Sequence, residues 1–149
     1  MKQKSKTSTS SEKTSAEKAA FELCLINREI FGAIVLIIAY VILIISAEQD
    51  RQQILQEQAG VQGQNPNLNP VGLAAAASWL TLTGVIILAG IAFQRLEELQ
   101  SEVQSGSSKT PLMPNINIAA GYILSILANT IKAIGVQQRY ELQQPVVIL

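Results

Sequence analysis

Residues 30–47 read IFGAIVLIIAYVILIISA, with no charged side chain between Glu29 and Glu48. As a helix rising about 1.5 Å per residue, this block covers about 27 Å, close to the thickness of a bilayer's hydrocarbon core. A run of this length without a charge predicts a transmembrane helix.

Moving outward from the block, nothing except the isolated Gly32 interrupts a helix between Thr14 and Gln58. Thr14 and Glu17 form a capping box, with the glutamate three residues after the cap. The sequence therefore predicts a helix over 14–59 that contains the span 30–47. Such a helix exceeds the about 40–45 Å of a whole bilayer, so it should project into water. Residues 1–13, MKQKSKTSTSSEK, are polar and without apolar periodicity, which predicts a disordered basic tail.

Residues 60–69 form a Gly/Asn/Pro-rich loop on the far side of the membrane. Asn69 followed by Pro70 supplies an N-cap and a proline at the first helical position. A second helix is predicted over 70–105. It contains the span 71–93, VGLAAAASWLTLTGVIILAGIAF, and continues through Leu96, Leu99 and Val103 to a stop at Ser105-Gly106. A cytoplasmic loop follows at 106–114, then a third helix over 115–144, bracketed by Pro111, Pro114 and Pro145. Its apolar block, 118–136, is the weakest of the three. Asn129 and Lys132 would each cost about 2–3 kcal/mol near a bilayer centre, although Lys132, four residues from the block's end, can snorkel. The apolar tail 145–149, PVVIL, completes the chain.

The predicted fold class is an all-α integral membrane protein, a three-helix antiparallel bundle with two clear transmembrane helices and a weaker third, helix one being long and projecting. Six lysines and arginines precede the first span, one lies in the next loop and two lie in the loop after the second span. By the positive-inside rule this places the N-terminus in the cytoplasm. Low aromatic content and the absence of sorting signals point to a bacterial plasma membrane.

The composition excludes much chemistry. The chain has no histidine and one cysteine, Cys24, and its eleven basic residues balance eleven acidic ones. Ser-His-Asp and Cys-His catalysis, thiolate zinc sites and disulfide frameworks are therefore outside its reach. No phosphate-binding glycine loop, zinc-protease or nucleophile-elbow motif occurs, and the spans contain no acid. The chain is expected to be no enzyme, with no cofactor, metal or small-molecule substrate. It lacks the concentrated basic surface that nucleic acids require.

Two patterns remain as candidate sites. Gly121, Ser125, Asn129 and Lys132 share one side of the third helix, either as a polar stripe lining a water-filled path or as a small-residue packing face with one interhelical amide. On the second helix, Gly72, Ala76, Ala77, Thr81 and Gly84 recur at intervals that permit close helix packing, within the chain or between copies. At the cytoplasmic boundary Arg28 and Glu29 can meet Arg95, Glu97 and Glu98 across the helix pair. The expected partners are the lipid bilayer and a protein, either another polypeptide or a second copy held through transmembrane helices. The function expected from these features is that of a non-enzymatic interaction, accessory or regulatory subunit. The alternative is a channel-like or holin-like homo-oligomer that permeabilises the membrane through the polar stripe.

Overall fold

The structure, a computed structural model, describes residues 5–60 and 69–143. Over these residues the chain forms three helices, α1 (Ser5–Gln58), α2 (Pro70–Gln104) and α3 (Met113–Gln143). Each contains a stretch long and apolar enough to cross a membrane. The C-terminal tail 145–149 and most of the loop 60–69 lie outside the described residues.

The helix ends follow local chemistry. Asn69 accepts from the backbone N–H groups of Val71 at 3.0 Å and Gly72 at 3.3 Å, beside Pro70 at the first helical position. Gly106 closes α2 with a φ of 74°. There the N–H of Gly106 donates to the Val103 carbonyl and that of Ser107 to the Glu102 carbonyl, the paired bonds of a Schellman cap. Gly60 ends α1 at a φ of 67°, its N–H donating to the Glu57 carbonyl at 3.2 Å. The start of α1 differs from the sequence expectation. The helix begins at Ser5, upstream of the Thr14 capping box, and takes in residues 5–13 that were expected to be disordered. That stretch has no glycine or proline, and extending an existing helix avoids the cost of nucleation.

Side chains buried on α1 fall on one narrow stripe. Leu25, Gly32, Ala39 and Ser46 stand seven residues apart, with Val35 between them. This is the seam spacing of two helices packed knobs into holes. α1 and α2 approach closely at Gly32 and Gly84. A Cβ added to Gly84 would lie 2.8 Å from the Leu36 side chain and 3.3 Å from the Gly32 carbonyl oxygen; one added to Gly32 would lie 2.9 Å from Leu88. Neither position has room for a methyl group without displacement. Further along, the Ser46 hydroxyl, buried, donates to the Pro70 carbonyl at 2.6 Å. The bond adds to the one that carbonyl accepts within α2 from the N–H four residues on.

The helices stand in a row. α2 packs on both α1 and α3, whereas α1 and α3 do not pack on one another. The three helices are therefore arranged with α2 in the middle. Two small-residue faces on α2 account for this. Ala77 and Gly84 are buried on the side of α1. Ala75, Ser78, Leu82, Val85 and Ala89 are buried about 100–180° around the helix from Gly84, and Gly72 meets the Tyr140 ring of α3. α1 has one such seam, which α2 fills, and carries exposed isoleucines on its other faces. The core accordingly lies in α2, with eleven buried residues against two in α3.

Candidate functional site

One end of the α1–α2 pair is joined by polar side chains. Lys18 reaches Glu102 at 2.7 Å, Arg28 donates to the Gln94 amide oxygen at 2.8 Å, and Arg95 donates to Glu29 at 2.6 Å. The hydrogen bond to Glu102, and then its charge, hold the Lys18 ammonium above its ordinary pKa. Of the acids considered with Arg28 and Glu29 from sequence, Glu29 pairs with Arg95 while Glu97 is exposed. Leu25 is fully buried among these contacts, and Leu96, Leu99 and Val103 are partly covered. The result is a two-helix stalk of α1 residues 16–29 and α2 residues 94–104.

Beyond Ser46, Gln49 and Asp50 are half-buried. Residues Arg51 to Gln58 are all exposed, and Glu48 takes a bidentate pair from Arg51 at 3.0 and 2.8 Å. Hydrogen bonds first from Arg51 and then from Gln52 keep the Glu48 carboxyl below its ordinary pKa. The glutamine-rich end of α3 does not join this extension. Its Tyr140 packs on Gly72 of α2, and Gln137 accepts from the Trp79 indole N–H at 3.4 Å while donating to Glu141.

The packing candidates on α2 divide between the two sides. Gly84 and Ala77 are buried, Gly72 contacts Tyr140, and Thr81 is buried with its hydroxyl on the Ala77 carbonyl at 2.8 Å; Ala76 is exposed. Ser78, Thr83 and Thr130 likewise donate to the carbonyl four residues earlier. These hydroxyls are satisfied within their own helices, which suits an environment without water.

The polar stripe of α3 lies at the edge of the face that meets α2. Ser125 and Asn129 are partly covered, and the Asn129 amide donates to the Ser125 carbonyl at 2.8 Å rather than to another helix. Gly121 and Lys132 are exposed, and nothing lies within 4 Å of where a Gly121 Cβ would be. An open groove of about 530 Å³ runs beside Cys24, Arg28 and Phe31, formed by α1 alone. What sequence reasoning missed is the seven-residue series on α1. Its signal was the recurrence of Gly32, Ala39 and Ser46 within a block otherwise made of large aliphatic residues.

No protein-family model, curated protein or solved structure matches this chain.

Proposed function

We propose that this chain is a three-span membrane protein with its N-terminus in the cytoplasm, acting as a non-enzymatic interaction or accessory subunit through its stalk. One observation carries the membrane part. Gly32 lies against Leu88, Leu36 against Gly84 and Ser46 against Pro70, the order of antiparallel neighbours. Tyr140 against Gly72 extends that order to α3. Twelve residues separate Gly72 from Gly84 along α2, so the α3 residue level with Gly84 and Leu36 is Ala128. The midpoints of the three apolar blocks thus fall within about 5 Å of one height. Helices that pack for other reasons have no need to align their apolar blocks in this way; a shared slab of hydrocarbon requires it.

Large apolar residues exposed at that height support the same placement. Ile34, Ile37, Ile44, Leu124, Leu127 and Ile131 are all exposed, which water would penalise and lipid does not. The excess of lysine and arginine before the first span supports the cytoplasmic N-terminus, and a bacterial plasma membrane suits the composition. The stalk, joined across by Lys18–Glu102 and Glu29–Arg95, then stands in the cytoplasm with Glu97 open to a partner.

Capture of the full chain in mild detergent, followed by mass spectrometry, tests the accessory role. The expected outcome is a second polypeptide that co-purifies with the wild type and is lost with Glu97→Lys. Recovery of this chain alone from several detergents would overturn that role. Ion flux through liposomes holding the purified chain would favour the channel reading in its place.

A further inference from the structure

α3 carries a second seam that its own chain leaves empty. Gly121, Ser125, Ala128, Lys132, Gly135 and Arg139 follow one another at steps of four, three, four, three and four, the spacing of a coiled-coil interface. Nothing lies within 4 Å of an added Cβ at Gly121 or Gly135, and Ala128, Lys132 and Arg139 are exposed. This face borders the one that meets α2, and of its residues Ser125 is partly covered. It is separate from the purely aliphatic face of Ile123, Leu127 and Ile134. Lys132 stands about 6 Å past mid-height, and the Cα–Cβ tilt of a helix directs its stem back toward the middle of the slab. Left against lipid, that cation is costly.

The outer face of α1 has the matching pattern. Ile30, Ile34, Ile37, Val41, Ile44 and Glu48 repeat the same steps, and all six are exposed. α1 and α3 run in the same direction, with Leu36 level with Ala128. Sliding by one residue, about 1.5 Å, brings each large residue of α1 opposite a small or basic residue of α3.

We propose that this seam is occupied by α1 of a second copy of this chain, side by side in the same membrane. The inference rests on the membrane placement proposed above and names the partner within the bilayer. Isoleucines 30, 34, 37 and 44 fill the gaps at Gly121, Ser125, Ala128 and Gly135, which is the large-on-small packing that holds helices together in lipid. Lys132 lays its stem along Val41, where the exposed Tyr40 beside it offers a phenolic oxygen. Arg139 meets Glu48 at the outer end, joining the Glu48–Arg51 pair. The contact is heterologous: each copy uses α3 toward one neighbour and α1 toward the other, so assembly continues beyond a dimer.

The test uses the full chain in its native membrane with Cys24→Ser, Ile37→Cys and Ala128→Cys, cross-linked by copper-phenanthroline oxidation. A ladder at successive multiples of 16.1 kDa is expected. The pair Ile37→Cys and Leu127→Cys, one position off the seam, should give none. Glu48→Arg or Arg139→Glu should each reduce the ladder about threefold, the size of one exposed ion pair, and the two together should restore it. No ladder, equal ladders from both cysteine pairs, a product that stops at the dimer, or cross-links to a polypeptide of another mass would overturn the proposal. Alkaline carbonate extraction of the uncross-linked wild type is read separately. Release into the soluble fraction would overturn the membrane placement itself, whereas retention without a ladder would overturn only the seam.

Discussion

Two glycine-bearing seams in this molecule share a seven-residue spacing and differ in what fills them. Gly32 and Gly84 mark the crossing of α1 and α2, where Leu36 and Leu88 occupy the space that a Cβ would take. Gly121 and Gly135 lie on α3 with open space at the same distance. A small residue in an apolar helix thus has no meaning of its own. It permits close approach, and only the neighbouring backbone shows whether the approach is made within the chain.

Replacing a glycine in each seam by leucine should separate them most strongly. Gly84→Leu forces the Gly32 carbonyl and Leu36 aside and should destabilise the protomer by about 1–3 kcal/mol, as overpacking does. Gly135→Leu meets nothing in its own chain and should leave protomer stability within about 0.5 kcal/mol, the usual range of an exposed change. Unfolding in mixed detergent micelles would measure both. Equal losses would erase the distinction between a filled seam and an open one.

A smaller effect tests what locks the filled seam. Ser46→Ala removes the hydroxyl's bond to the Pro70 carbonyl, which keeps its helical N–H donor, at a cost of about 1 kcal/mol in the same assay. Thr83→Ala, whose hydroxyl serves its own helix at an exposed position, should change little by comparison.

The smallest effect belongs to the stalk. Lys18 is raised from 10.5 by Glu102, so on the alkaline side its contact persists up to 10.5 and is lost as pH rises through the elevated value. Above neutral pH, cross-linking of cysteines placed beside Lys18 and Glu102 should fall only in that alkaline window, with the membrane seam unaffected. A fall near neutral pH would show that another group governs the contact.

Much of this fold was legible in the residues. Asn69-Pro70 and Ser105-Gly106 mark the ends of α2, because caps and left-handed glycines act within a few residues. The candidate packing residues were less legible. Ala76 and Ala77 are indistinguishable in composition, yet one is exposed and the other buried, because a helix turns about 100° between them. Likewise Glu29 and Glu97 were equal candidates for the boundary ion pairs, and only Glu29 faces an arginine.

By itself the sequence determined three helices, their ends apart from the start of α1, and their apolar blocks, since these depend on local hydrogen bonding, on turn chemistry and on transfer of side chains from water. Only the tertiary structure decided that α2 stands between the other two and that α1 and α3 do not pack together. It also decided that one small-residue seam is closed and another open. The reason is geometric: helix propensity and hydropathy sum along one chain, whereas a seam is completed by a second helix whose direction around its axis no single segment specifies.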